Sequence, residues 1–191
     1  MVLPVRTVAP ASLPVSVEDA KFHCRVDHDD EDDLITALIQ AATDYLDGID
    51  GILGRAIVTQ TWRQDFTAFE GELRLPLKPV ASVTSVTYYD GDNAQQTLST
   101  DVYELLNDER GPYVALKTSQ SWPSVYNRTG AISVTFVAGV TVASVPAPIR
   151  ISILMMVDHW YNNRSAVSGV AMSEVPLSVD ALIRPYRQIS L

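Results

Sequence analysis

The sequence predicts an α+β fold in which a helical bundle carries an inserted small antiparallel β-sandwich or barrel. Helical periodicity is confined to the two ends of the chain, strand-like patterns fill the middle, and turn signals recur there at short intervals. Three prolines in the first sixteen residues predict an extended arm. The predicted segments are an arm over 1–16, helices over 17–56, a β domain over 57–140, and helices with a closing tail over 141–191.

Two helices are predicted after the arm. Ser16 precedes two acidic residues, and a hydroxyl followed by acids is typical of a helix start, because it accepts an exposed N–H while the acids favour the positive end of the dipole. A short helix is therefore predicted over 17–24. Apolar residues then recur at spacings of three and four from about residue 30 to residue 49, which predicts an amphipathic helix. Gly48 and Gly51 mark its end.

Short strands are predicted throughout the middle of the chain. β-Branched and aromatic residues are concentrated there, and Asp90 to Asn93 is a strong turn signal. The candidate strands are 57–66, 73–77, 80–89, the neighbourhood of Leu98, 103–106, 113–116 and 132–137. Loops are predicted over 108–112 and 119–130. Six or so short strands at regular spacing favour a sandwich or barrel.

Helical periodicity returns after the β domain. Two prolines fall where first-turn prolines are tolerated, and an apolar stripe continues to about Asn163. The polar, small residues of 165–174 predict a mobile loop. A short helix is predicted over 178–183, ended by Pro185.

Composition excludes several classes of protein. The 191 residues are 47% hydrophobic, which is enough for a sizeable core. A formal net charge of −9 disfavours gripping of DNA or of an anionic membrane, although DNA could still pass nearby. The single Cys24 excludes an internal disulfide, and the longest apolar stretch, 151–157, is too short to span a bilayer. We expect a soluble cytoplasmic product.

The acidic run over 27–33 is the first candidate site. A calcium-binding EF-hand loop needs a glycine at its sixth position and a glutamate at its twelfth. Counting from Asp27, those positions hold Asp32 and Leu38, so the pattern fails. Acids at a helix N-terminus are the simpler interpretation. The three histidines and one cysteine have no zinc-ligand spacing, and no glycine-rich phosphate loop is present, so neither a metal nor a cofactor is expected.

Two alternative functions remain open from the residues. One is a hydrolase or lyase using His159 and a distant acid, although neither Cys24 nor any serine has a nucleophile signature. The other is a β-domain binding module that reads a carbohydrate or host surface. A binding module of this kind requires exposed aromatic side chains clustered on one face of the β domain. The four candidate aromatics could instead belong to the core: Trp62, Tyr88, Tyr103 and Tyr113.

Three segments form an ordered pattern along the chain. The first is an Arg25–hydrophobic–Asp27 step followed by an acid-capped helix with paired apolar residues: Leu34-Ile35, Leu38-Ile39, Ala41-Ala42 and Tyr45-Leu46. The second is the strand 132–139 with its Ala-Gly exit, and the third combines 159–164 with 181–187. Together they resemble the phage head–tail connector (adaptor) family called gp6-like, and its gp8-like relatives, over about 17–187.

This resemblance implies a structural head–tail adaptor of a tailed phage or of a phage-derived particle such as a gene transfer agent or prophage, and no enzyme. Such subunits form a ring, expected to be a dodecamer, below the portal protein. The ring extends the DNA channel, which DNA crosses without specific binding, and meets the stopper or tail-completion protein. The virion neck is the expected location. The resemblance assigns portal docking to Leu182, Ile183, Arg184, Pro185, Tyr186 and Arg187.

Overall fold

The computed structural model describes residues 3–164 and 177–188. These residues form helices and antiparallel sheets, so the predicted α+β class is confirmed. The described residues fall into two compact units. The β unit comprises 3–11 and 59–140, and the helical unit comprises 12–58, 141–164 and 177–188. Along the chain, the β unit therefore interrupts the helical unit.

Four α-helices belong to the described part of the helical unit: α1 (Val17–Cys24), α2 (Asp32–Leu46), α3 (Ala147–Asn162) and α4 (Leu177–Ile183). The predicted bounds of α1 are confirmed, and the Ser16 Oγ accepts the Asp19 N–H at 3.0 Å as the capping argument requires. Short 3₁₀ turns occupy Val142–Ser144 and Arg184–Tyr186. Pro185 therefore lies inside a turn that follows α4. The predicted loop over 165–174 lies outside the described residues.

α2 is shorter than its apolar pattern predicts. It ends at Leu46, because Asp47 adopts an extended conformation. Gly48 then takes a φ of 82° and donates its N–H to the Arg55 carbonyl at 2.8 Å. A Cβ on Gly51 would lie 2.3 Å from the Asp47 carbonyl oxygen, so only glycine fits at that position. The two glycines thus reverse the chain after α2.

The core of the helical unit lies between α2, α3 and α4. Its largest fully buried side chains are Ile35, Ile39, Leu46, Leu53, Ile149, Ile153, Met156 and Ile183. In α2, one member of each apolar pair is buried and the other faces outward. Leu34 and Tyr45 on the outward side remain 37% and 39% exposed. α2 therefore has a second apolar stripe that stays partly exposed among the described residues.

The β unit contains two open antiparallel sheets. The strands are β1 (Val5–Val8), β2 (Gln60–Phe66), β3 (Leu73–Arg74), β4 (Val80–Tyr89), β5 (Gln95–Thr97), β6 (Tyr103–Asp108), β7 (Gly111–Leu116) and β8 (Ile132–Ala138). The first sheet has the order β1-β2-β8-β4-β5 and the second the order β3-β7-β6. The pairing closes no barrel within the described residues. Part of the predicted arm forms the edge strand β1.

Strand β8 is the centre of the larger sheet. It pairs with β2 and β4, and its residues are alternately buried and partly exposed, so that Ile132, Val134 and Phe136 belong to the core. Two predictions are wrong here. Asp108 and Gly111 form the last pair of the β6–β7 ladder rather than a loop, because the turn between them needs only two residues. Leu98 lies after β5, where it is buried and donates its N–H to the Val86 carbonyl.

Candidate functional site

The closing segment Leu177 to Gln188 packs against its own chain. Val179 and Ile183, one turn apart on α4, are fully buried. The Gln188 N–H donates to the Leu53 carbonyl at 2.8 Å, and Arg187 pairs with Asp180 at 2.7 Å. The segment is thus held at its far end as well as by α4.

The six predicted docking residues do not share one environment. Ile183 is fully buried and serves the helical core, because it lies on the same face of α4 as Val179. Leu182 and Tyr186 are half-buried. The exposed members of the set are Arg184, Pro185 and Arg187. Of the six residues, these three form the exposed basic, proline-containing surface.

Arg55 lies beside this segment, and sequence reasoning missed it. Its guanidinium carbon is 5.9 Å from the centre of the Tyr186 ring. Burial lowers the pKa of Arg55, since removal from water disfavours the charged form. No spacing in the sequence connects Arg55 with Tyr186, because the two are joined only by the return of the chain.

The acidic run over 27–33 is used for ion pairs between helices. Lys21 of α1 lies 2.5 Å from Asp29 and 2.8 Å from Asp32. Its hydrogen bond to Asp29, and then that to Asp32, raise the pKa of Lys21. The same contact with Lys21 lowers the pKa of Asp29. The described residues contain no group of three or more His, Cys, Asp or Glu side chains that could hold a metal ion.

Glu31 joins the start of α2 to the end of α3. Arg164 lies 2.7 Å from the Glu31 carboxylate, and the Tyr161 hydroxyl donates a hydrogen bond to it. The hydrogen bond from Arg164, followed by that from Tyr161, lowers the pKa of Glu31 to about 2. Arg164 also lies over the Tyr161 ring, 4.7 Å from its centre. The sequence showed the acid but not its partners, which are more than a hundred residues away.

The Cys24 thiol, which lies beside the last turns of α3, is poorly suited to act as a nucleophile. His159 is half-buried in the last turn of α3. The nearby Cys24 thiol faces Asp158, and burial, with the Asp158 charge and hydrogen bond, raises the pKa of Cys24 to about 11. A thiol with that pKa is protonated at neutral pH, which is the opposite of what nucleophilic catalysis needs.

The aromatics of the β unit contact the core and each other. Trp62 and Tyr103 are buried, whereas Tyr88 and Tyr113 are half-buried. The Tyr88 ring meets Phe69 edge-on at 6.1 Å, and Phe69 stacks on Trp122 at 4.5 Å. Arg74 lies 4.5 Å from the centre of the Tyr113 ring. Tyr88, Phe69 and Trp122 therefore form a packed cluster of rings.

A groove of about 350 Å³ opens on the helical unit. α2 contributes Leu34 and Leu38 to it, and the end of α3 contributes Trp160 and Tyr161. Arg164 lies on its rim, where its charge is already paired with Glu31. None of the described helices is long and apolar enough to cross a membrane.

A family model described as "Phage gp6-like head-tail connector protein" matches residues 14–106, from just before α1 into β6. This match covers 93 of the 191 residues and agrees with the resemblance that the sequence motifs indicated. No curated protein matches the chain.

Several solved structures share the fold over the whole chain. A chain from the neck of an empty GTA particle computed with C6 symmetry has a TM-score of 0.78 and 21% identity, covering 100% of this chain and 97% of that one. A chain from the virion of a native gene transfer agent particle has a TM-score of 0.79, with the same identity and coverage. A chain from the neck of a native GTA particle computed with C12 symmetry has a TM-score of 0.69 and 20% identity, again covering 100% and 97%.

Proposed function

We propose that this chain is a structural head–tail adaptor subunit in the neck of a tailed phage or gene transfer agent particle. The subunits form a ring below the portal protein, extend the DNA channel, and bind the next neck protein. Two findings together support this proposal. A connector family model matches the first half of the sequence, and the fold of the whole chain is similar to that of chains from GTA necks. Both the helical unit and the β unit are included in that likeness, since it covers 100% of the chain.

A ring of identical subunits is part of this proposal, and the symmetry of those particles supports it. The compared necks were computed with C6 and C12 symmetry, and twelve subunits is the ring size we propose. Cyclic rings need a head-to-tail interface in which one surface of a subunit meets a different surface of the next. The chain has outward apolar side chains that such an interface could cover, including Leu34 and Tyr45 of α2.

The exposed part of the closing segment is the proposed portal contact. Arg184, Pro185 and Arg187 are exposed, while the buried Ile183 holds the segment in place. Arginine is favoured at interface hot spots because its planar group makes several directed hydrogen bonds. A segment anchored in this way would present the two arginines without first becoming ordered, which lowers the entropic cost of docking.

The charge of the chain suits a channel component. With a formal net charge of −9, the protein repels the phosphates of passing DNA. We therefore propose that DNA passes through the channel without binding specifically to the protein.

The test is the mass distribution of the purified protein, alone and mixed with its cognate portal, measured by mass photometry. A ring-sized species, alone or on the portal, is expected. A chain that stays monomeric in both conditions would overturn the adaptor assignment.

A matched pair of variants tests the proposed portal contact. Arg184→Glu reverses an exposed charge in the closing segment, whereas Arg110→Glu reverses an exposed charge in the β6–β7 turn. We expect Arg184→Glu to weaken portal binding at least tenfold and Arg110→Glu to leave it unchanged. Equal binding by both variants would remove the docking role from Arg184.

A further inference from the structure

Arg55 is a partly buried guanidinium that lacks an acidic partner among the described residues. It belongs to a stretch that packs against the closing segment, since the Gln188 N–H donates to the Leu53 carbonyl at 2.8 Å. The Tyr186 ring lies 5.9 Å from the Arg55 guanidinium carbon. Within the described part of the chain, the Arg55 side chain makes no ion pair and no hydrogen bond. A charge withdrawn from water is normally paired, so this one is available to a partner.

The three guanidinium nitrogens of Arg55 differ in their access to solvent. The Nε is buried and has no hydrogen-bond partner among the residues that the structure describes. The two Nη atoms are reached by solvent, so the outer edge of the planar group stays open beside the Tyr186 ring. The parallel N–H groups on that edge match the two oxygens of a carboxylate. The accessible part of Arg55 is thus shaped for a carboxylate.

The acids that lie near Arg55 in the fold are used elsewhere. The Asp47 carboxylate is buried and accepts a backbone N–H at 2.6 Å, and Asp180 is paired with Arg187 at 2.7 Å. Asp50 is exposed, and no ion pair joins it to Arg55. Burial lowers the pKa of Arg55, and no carboxylate offsets that shift. The described acids therefore do not neutralise this charge.

The sequence outside the described ranges supplies one further acidic side chain, Glu174. Residues 189–191, which follow the closing segment, are Ile-Ser-Leu and carry no acidic side chain. Residues 1–2 are Met-Val and likewise carry none. Glu174 is therefore the one acidic side chain of those ranges that could compete for Arg55, and the experiment below includes its replacement.

A second unpaired arginine lies on the same part of the helical unit. Arg184 is exposed in the 3₁₀ turn that contains Tyr186, and it makes no ion pair with any described residue. On a chain with a formal net charge of −9, two unpaired arginines near one turn are an exception. A partner that meets this turn finds positive charge that the chain has not neutralised.

We propose that Arg55 binds a carboxylate side chain of the portal protein through its two Nη atoms, beside the exposed Arg184. The inference rests on the proposed portal contact, and it adds the residue and the chemistry that recognise the partner. A carboxylate is favoured over the phosphates of DNA, because an acidic chain repels a polyanion but can accept a single acidic side chain. Arginine placed in this way is a common component of interface hot spots.

The test measures binding of full-length variants to the cognate portal by biolayer interferometry. Arg55→Gln removes the charge, whereas Arg55→Lys keeps a charge beside Tyr186 but loses the planar fork. Arg110→Gln is the matched control, because Arg110 is exposed in the β6–β7 turn. We expect Arg55→Gln to bind portal roughly tenfold more weakly, or worse, and Arg55→Lys to recover part of the loss. The control should bind as the wild type does.

The salt dependence of binding separates a direct contact from a structural role. Salt weakens ion pairs, so the affinity of Arg55→Gln should depend less on salt than that of the wild type. If Arg55 only held Tyr186 in place, affinity would fall while its salt dependence stayed the same. That result would overturn the carboxylate site. Thermal melting of each free variant identifies any loss of fold, and Arg55→Lys then provides the comparison in a folded chain.

Each outcome bears on one claim. A wild type that does not bind portal overturns the portal contact and this site together. Binding that is weakened by Arg184→Glu but not by Arg55→Gln overturns this site alone. Equal, non-additive losses of melting temperature in Arg55→Gln and Glu174→Gln would make Glu174 the partner of Arg55 and overturn the proposal. Binding of the wild type to a short DNA duplex, abolished in Arg55→Gln, would also overturn it.

Discussion

The helical unit and the β unit are stabilised in different ways. The helical unit joins chain segments from both ends of the sequence, and its helices are held by interlocking side chains and by ion pairs such as Lys21–Asp32 and Glu31–Arg164. The β unit is nearly continuous in sequence, and main-chain ladders dominate its larger sheet. Ion pairs occur in the β unit too, where Arg74 meets Glu72 and Asp108. The two units therefore differ mainly in how far apart in the sequence the segments are that they join.

The largest effects are expected from emptying the two cores. Phe136 in β8 and Ile39 in α2 are both fully buried. Phe136→Ala should lower the free energy of unfolding by about 3–5 kcal/mol and Ile39→Ala by about 2–5 kcal/mol, because each leaves a cavity. Urea denaturation measures both. The control is Leu106→Ala at a position 37% exposed, and a core variant no less stable than this control would contradict the assignment of that core.

Removing one carboxylate from each unit sharpens the comparison. Asp108 in the β6–β7 hairpin binds Arg74 through two bonds of 2.6 Å and also accepts the backbone N–H groups of Arg110 and Gly111. Asp108→Asn should destabilise the protein more than Glu72→Gln, since Glu72 contacts Arg74 alone. Thermal melting at neutral pH compares the two variants. Equal melting temperatures would show that the two-bond contact of Asp108 with Arg74 stabilises the protein no more than the contact of Glu72 does.

In the helical unit, the matching test is how the stabilisation contributed by Glu31 depends on pH. Because the pKa of Glu31 is lowered from 4.5 to about 2 in the folded protein, its stabilising contribution is present above pH 4.5 and is lost as the pH falls toward 2. The stability difference between wild type and Glu31→Gln should therefore shrink over that range. Denaturant titrations at several pH values measure it. If the stability difference stays constant from neutral pH to pH 2, the charge of Glu31 does not stabilise the contact between α2 and α3.

A smaller effect is expected at the β4–β5 turn. Asn93 has a left-handed φ of 59°, and its side-chain oxygen accepts a hydrogen bond from Arg128 at 3.2 Å. Asn93→Ala should cost about 1 kcal/mol, because alanine is disfavoured in this conformation. Asp92→Ala in the same exposed turn is the control. If both variants unfold at the same denaturant concentration, the conformation of Asn93 carries no cost.

The smallest expected effect is on the reactivity of Cys24 and not on the stability of the fold. Since its pKa is raised from 9.0 to about 11, the thiolate fraction at neutral pH is about a hundredfold smaller than for a free cysteine. Alkylation by iodoacetamide should therefore be slow at pH 7 and accelerate up to about pH 11. Asp158→Asn should increase the rate, because it removes a negative charge beside the thiol. An unchanged rate would show that burial, and not Asp158, raises the pKa of Cys24.

Local patterns determined much of the molecule. The cap at Ser16, the bounds of α1, the strand β4 and the first-turn proline of α3 were all predicted from neighbouring residues, since each depends on interactions a few positions apart. The resemblance to the connector family was also visible in the sequence, because the apolar pairs of α2 form a dense local motif.

What the sequence could not determine depends on distant residues meeting. The pairing order of the strands, the partners of the acidic run and the position of Arg55 beside Tyr186 all join segments far apart in the chain. The sequence also predicted six docking residues as one set, whereas the fold places Ile183 in the core and leaves Arg184 and Arg187 outside. Periodicity shows which residues of a helix are apolar. Only tertiary packing decides which of two apolar faces, such as Ile35–Ile39 and Leu34–Tyr45 of α2, is buried in the core and which stays partly exposed.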